Sequence, residues 1–159
     1  MQTILKGATV IDGTWQPPIT PGVVWIEDGR IRGIGSAADF GTKSDSDGAR
    51  LVDATGKWVL PGLINMHDHL FYREVIGRSM DVYLKGPTAM ALYTIRNAMI
   101  SLSRGWTTER EMASVQGISL QVRELISSGA IPGPRLFACG SPVSVTGGHA
   151  SHLCIEADG

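Results

Sequence analysis

Apolar and polar positions change their rhythm near residue 60. Before it, short β-rich runs alternate with turn signals. Thr3-Ile4-Leu5 and Ala8-Thr9-Val10-Ile11 precede Asp12-Gly13. Val23 to Glu27 and Arg30 to Ile34 flank Asp28-Gly29, and two β-rich runs joined by Asp-Gly predict a hairpin. Gly33 interrupts the alternation there and predicts a bulge. Residues 35–50 are rich in Gly, Ser, Asp and Ala without periodicity, which predicts an exposed loop. Leu51 to Ala54 and Lys57 to Leu60 complete an amino-terminal β domain over residues 1–60, which alone reads as a small β-sandwich or a generic binding module.

From residue 61 the periods lengthen. Leu63 to Met66 is apolar nearly throughout, as a strand covered on both faces is. A loop-like stretch with Phe71, Tyr72, Arg73 and Glu74 runs to Gly86. Pro87 to Arg104 reads as a helix, with Pro87 in its first turn and Ala91, Ile95, Ala98 and Leu102 as its apolar stripe. Met90 and Met99 read as core filler, and Gly105 stops the helix. Trp106 to Met112 takes the place of a second strand. Gln116 to Ser128 is a second helix, with Ile118, Val122, Leu125 and Ile126 on one face, ended by Gly129. After the turn at Pro132-Gly133-Pro134, Arg135 to Gly140 is a third strand, and Ser141 to Gly159 is loop-like. Strand, helix, strand, helix, strand predicts parallel strands in an α/β fold.

The chain has 159 residues, 43% of them hydrophobic, which suits a folded core. Its 14 basic and 15 acidic residues give a net charge of -1, so no basic field suggests nucleic acid. No apolar run approaches the ~18 residues that cross a membrane, and the amino terminus lacks the pattern of a signal peptide. Cys139 and Cys154 make no disulfide framework, which fits a reducing, cytoplasmic setting. Cys139, in an apolar run, reads as inert core.

The candidate chemistry is His67-Asp68-His69. Side chains alternate along a strand, so His67 and His69 share a face and Asp68 takes the other. Two imidazoles at a strand's end can grip one metal ion, and neutral imidazole suits zinc. A lone His-X-His fits ordinary surface histidines as well. Its place at the end of an apolar strand favours the site, because active sites form at the carboxyl ends of strands in barrels and α/β sheets. Arg73 and Arg78 could meet a substrate carboxylate, although solvated surface arginines fit them better.

Pro61-Gly62-Leu63-Ile64-Asn65-Met66-His67-Asp68-His69 resembles the "PGLID-x-H-x-H" signature of the amidohydrolase superfamily, with Asn65 where Asp is usual. Gly105-Trp106-Thr107-Thr108 resembles that family's "G-[VF]-T-T" second strand. Ile131-Pro132-Gly133-Pro134-Arg135, followed by Thr146-Gly147-Gly148-His149, resembles its imidazolonepropionase-like and prolidase-like subgroup. The family shows "TTVRDMGG" at the second strand, where this chain has Glu109, Glu111, Ala113 and Ser114. A carboxylate at 109 inside a barrel strand is unfavourable unless paired or at the rim. Arg110 and Glu111 keep the family's charge pattern and could support the metal ligands from behind; a surface ion pair fits equally.

The resemblance implies a (β/α)8 TIM-type barrel that starts in residues 61–159 and is incomplete in this chain. The 1–60 domain would be half of a composite sandwich, leaving Trp15, Trp25 and Trp58 short of cover. Such apolar surface favours association, which leaves a homo-oligomer open. The implied activity is hydrolysis of a carbon–nitrogen bond in a small molecule or dipeptide by water activated on one or two divalent ions, zinc first. His67 and His69 would be metal ligands, and His149 would contact substrate beside Arg73. His152 reads as incidental. A barrel takes about 200 residues or more, so the chain is expected to be part of a longer protein, with the remaining ligands elsewhere and the isolated piece inactive. The alternative is a non-catalytic protein that keeps the family's opening segment.

Overall fold

Asp28 and Gly29 both adopt positive φ, 50° and 72°, the backbone that a two-residue hairpin turn requires. In the computed structural model, which describes residues 1–40, 48–72, 85–150 and 155–157, this turn joins β2 (Ile19–Glu27) to β3 (Arg30–Ser36). The pair is antiparallel, with a register shift between Trp25 and Ile26 where Gly33 follows Ile31 across the ladder. The described residues fall into two units, Met1–Pro61 and Gly62–Gly159.

In the first unit, β1 (Gln2–Val10) is central. It pairs antiparallel with β2 and parallel with β4 (Arg50–Asp53) and β5 (Trp58–Val59). Ala8, Val10, Val24 and Ala54 form a small buried cluster. Residues 35–50 are not uniformly loop. β3 runs to Ser36, and α1 (Ala37–Phe40) makes one turn after it. The Asp39 carboxylate accepts from Ser36 N at 2.6 Å and Ser36 Oγ at 2.7 Å, which holds that turn to the strand. Trp25 is half-buried with Phe40 edge-on to it at 6.5 Å, so it has more cover than expected, while Trp15 and Trp58 stand exposed.

The second unit is built from β6 (Leu63–Asp68), α2 (Pro87–Ser103), β7 (Trp106–Glu111), α3 (Ile118–Ser127) and β8 (Arg135–Ala138). The three strands are parallel in the order β6-β7-β8. Leu70, Phe71, Met90, Ala98, Ala113, Ile118, Val122 and Leu136 form its core. Burial covers one face of the sheet only. Ile64, Met66 and Phe137 are each more than half exposed, at 57%, 59% and 57%. Leu63 to Met66 is therefore not a strand covered on both faces: the helices cover one side, and the apolar residues of the other lie open among the described residues.

Other expectations are corrected at the ends of elements. Met99 and Leu125 lie on the solvent side of their helices. Gln116 has φ 53°, so a short 3-10 turn at Val115–Gly117 precedes α3 and the helix starts at Ile118. Cys139 is exposed, past the end of β8, and is not core. The loop after β8 contains β9 (Val143–Ser144), paired in parallel with β10 (Ile155–Glu156). Cys154 and His152 lie outside the described residues. Among the described residues no helix is long and apolar enough to cross a membrane.

Gly62 enters β6 where a Cβ would collide with Thr107 at the start of β7, against Oγ1, Cγ2 and Cβ together. Rotation about χ1 cannot relieve a clash that includes Cβ itself. Gly62→Ala is expected to destabilise the second unit by about 2 kcal/mol through overpacking. Thr107→Gly in the same chain should restore most of it, as measured by denaturant unfolding of the two single variants and the double.

Candidate active site

β6 ends at Asp68, and its register against β7 slips on the way. Asn65 faces Glu109 and Asp68 faces Glu111, so three steps on β6 match two on β7. Such a bulge re-aims side chains at the end of a strand. Here it leaves His67 exposed and His69 half-buried, with their rings edge to face at 5.1 Å. Asp68 turns back on its own backbone, its Oδ1 accepting from His69 N at 2.7 Å and its Oδ2 from Asn65 Nδ2 at 3.1 Å. Asn65, which replaces the usual Asp, thereby orients Asp68.

Behind the pair the chain dives inward. Leu70 and Phe71 are each 2% exposed, and Tyr72 stacks on Phe71 at 4.2 Å and against His69 at 5.5 Å. This turn is held by Asn97 of α2, whose Nδ2 donates to Leu70 O at 2.7 Å and Tyr72 O at 2.6 Å. The sequence reading passed over Asn97. In sequence it is only a short amide in mid-helix, a poor helix former, and nothing there shows what its side chain bonds.

His67, His69 and Tyr72 share a cavity of about 260 Å³ with His149, Met112 and Val143. The structure thus brings the two candidate metal ligands and the candidate substrate histidine to one place. Arg73 and Arg78 lie outside the described residues. Burial lowers the His69 pKa from the usual imidazole value; the charge of His67 adds to this, Asp68 opposes it, and His149 adds again. The shift favours neutral imidazole, the form that ligates metal. His69 Nδ1 is buried with no hydrogen-bond partner among the described residues, as an imidazole awaiting a ligand would be. Both histidines fit a divalent ion as two of its donors. Among the described residues no group of three or more His, Cys, Asp or Glu that could hold an ion exists.

The face opposite the open one carries two buried acids. Glu109 is 0% exposed and Glu111 1%. Glu109 has Asp68 and Ser101 as polar neighbours, yet neither carboxyl oxygen has a well-formed hydrogen bond among the described residues. Glu111 accepts from Ala113 N at 3.2 Å. Burial pushes each carboxyl up to about 7, and the charge of Asp68 adds to the rise. Burial thus shifts Glu109 toward its protonated form, which lowers the cost of holding it inside β7. Arg110 does not pair with Glu111 among the described salt bridges. It points to the open face and donates to Met66 O at 3.4 Å, across the bulge.

No family model matches the chain. An imidazolonepropionase of Bradyrhizobium sp. (strain BTAi1 / ATCC BAA-1182) is 28% identical over 111 residues, 70% of this chain and 27% of that protein. A Xaa-Pro dipeptidase crystallised with methionine bound in its active site superposes with a TM-score of 0.79 at 26% identity, over 96% of this chain and 36% of its own. A solved amidohydrolase covers all of this chain, with TM-score 0.79, 25% identity and 41% of its own length. The chain belongs to the amidohydrolase superfamily. The relatives are hydrolases acting on carbon–nitrogen bonds, and amidohydrolases are typically metal-dependent. The chain spans about a quarter of the length of the curated imidazolonepropionase it matches.

Two outcomes follow for this amidohydrolase segment. An acid whose pKa is raised by folding stabilises the fold while protonated in both states and loses that contribution as pH climbs to the folded value. For Glu109 and Glu111 that window runs from 4.5, the ordinary value, to about 7. Unfolding midpoints should therefore fall across it in the native chain and stay flatter in Glu109→Gln and Glu111→Gln. Asn97→Ala removes both donors to the turn and should cost about 2 kcal/mol, with faster amide exchange at Leu70 to Tyr72.

Proposed function

We propose that the chain is the opening segment of a metal-dependent hydrolase that cleaves carbon–nitrogen bonds. β6, β7 and β8 begin its (β/α)8 barrel, and Met1–Pro61 contributes to a composite β-sandwich. The observation that carries the reading is the pair of imidazoles 5.1 Å apart at the carboxyl end of a parallel strand, where barrel active sites form.

His67 and His69 are two ligands of the ion, for which zinc is the first choice given imidazole donors and hydrolytic chemistry. When bound, such an ion lowers the pKa of a water to roughly 7 and supplies the nucleophile at neutral pH. The chain's own residues do the rest of what this segment offers. Tyr72 and Phe71 back His69 and keep its ring turned to the cavity. Asn97 holds that turn. His149, on the loop after β8, brings a third imidazole to the cavity, where it can meet charge developing on the substrate. Arg73 is retained as a second substrate contact on the strength of its position in sequence, five residues after β6 ends at Asp68.

Within the superfamily, a dipeptidase of the Xaa-Pro kind is supported by structural likeness over 96% of the chain, and an imidazolonepropionase-like enzyme by sequence likeness over 70% of it. The absence of a three-residue ligand group among the described residues keeps one competitor in view, a non-catalytic protein that retains the family's opening.

The test uses the complete product of the gene. It should contain at least one tightly held divalent ion and hydrolyse members of a dipeptide and cyclic-amide panel. His67→Ala and His69→Ala should each lower metal affinity and cut kcat/KM by at least about a thousandfold, as expected when the group that generates the nucleophile is lost. Full activity in both variants would sink the ligand assignment. A complete product free of metal and without hydrolysis would favour the binding protein.

A further inference from the structure

The histidine cavity has a second, chemically different side. Besides the imidazoles its lining includes Met112 and Ala113, just past β7, and Pro142, Val143 and Ser144 in the loop after β8. None of these carries a charge, and Ser144 alone among them bears a hydroxyl. Val143 is 68% exposed, although it sits in a strand and faces a concave site. The loop that carries it is fixed from both sides: Ile155 N donates to Pro142 O at 2.7 Å, and Ala157 N to Ser144 O at 3.0 Å. Ser141 Oγ ties the same loop to Ser114 O at 3.2 Å. A fixed, apolar, water-exposed surface beside polar groups gains free energy only from an apolar occupant. A carboxylate placed against Met112, Pro142 and Val143 would lose water without gaining a charged partner from them.

We propose that Met112, Pro142 and Val143 form a subsite for an uncharged apolar substituent next to the bond presented to the histidines. The substrates of the site are then amides with an aliphatic or aromatic group on that side. A second carboxylate at that position is selected against. The inference rests on the proposed hydrolase site and narrows its substrate class.

The test needs no catalysis. The full chain is titrated with acetamide, butyramide and hexanamide, and with the anion succinamate, while the methyl resonances of Met112 and Val143 are followed by NMR. Hexanamide should bind at least about tenfold more tightly than acetamide, part of the roughly two-hundredfold that full burial of its four additional methylene groups would give. Its shifts should centre on those two methyl-bearing residues, and succinamate should bind no better than acetamide. Val143→Asp should abolish the gain with chain length. Val143→Ala, which only trims an exposed side chain and leaves folding intact, should reduce it by about threefold. His67→Ala should keep the chain-length dependence. If the chain keeps that dependence while the complete gene product binds no divalent ion and hydrolyses no amide, the hydrolase reading is overturned and the subsite stands. Equal affinity for the three amides, or shifts that avoid Met112 and Val143, would overturn the subsite.

Discussion

Two backbone carbonyls set the terms for the second unit. The chain leaves β6 and turns at once into the core, burying Leu70 and Phe71 under α2. A turn cannot go inside unless its peptide groups find partners, because an unpaired buried carbonyl costs as much as the packing around it returns. Asn97 answers that demand with both hydrogens of one amide, to Leu70 O and Tyr72 O. Once those are tied, the aromatic stack of Phe71, Tyr72 and His69 follows. The second histidine is thus placed by a helix residue far along the chain, and the geometry of the candidate site depends on α2 packing correctly.

Much of this architecture was legible. The hairpin at Asp28-Gly29 declares itself through local chemistry, since few sequences other than Asx-Gly suit two successive positive φ values. Strand–helix–strand alternation after Gly62 follows from the change of period, and only parallel strands join through a helix of that length. Leu63 to Met66 misled because apolar composition reports what a strand is built to touch, while exposure depends on what is there to touch it. Met99 and Leu125 misled for a related reason. The stripe on α2 centres on Met90, Thr94 and Ala98, so the apolar residues beside it fall outside the contact. Cys139 stood in an apolar run that outlasted its strand by one residue.

The site divides in the same way. His67 and His69 were readable from spacing and context, and the chain places both with His149 in one cavity. Asn97 and the wall of Met112 and Val143 were not readable, because each acts through a contact between residues far apart in sequence. Glu109 lies between these cases. A carboxylate in a strand reads as an error until its surroundings are known. Its burial, with Asp68 nearby, shifts it toward the protonated form, and a neutral carboxylic acid is no worse in a core than any other polar group short of partners.

The open face of the sheet gives the last step. Ile64 and Phe137 are more than half exposed on one side of a sheet whose other side is packed by two helices. Parallel sheets are stable when both faces are covered, so these residues require a cover in the functional protein. The solved relatives align over nearly all of this chain and only about a third to two fifths of their own length. The proposed barrel would supply that cover, since a closed sheet turns its inner face into a packed interior. The same closure would add ligands to a pair of histidines that is incomplete alone. In the proposed barrel a single requirement, burial of the second face, would join the stability of these strands to the completion of the site.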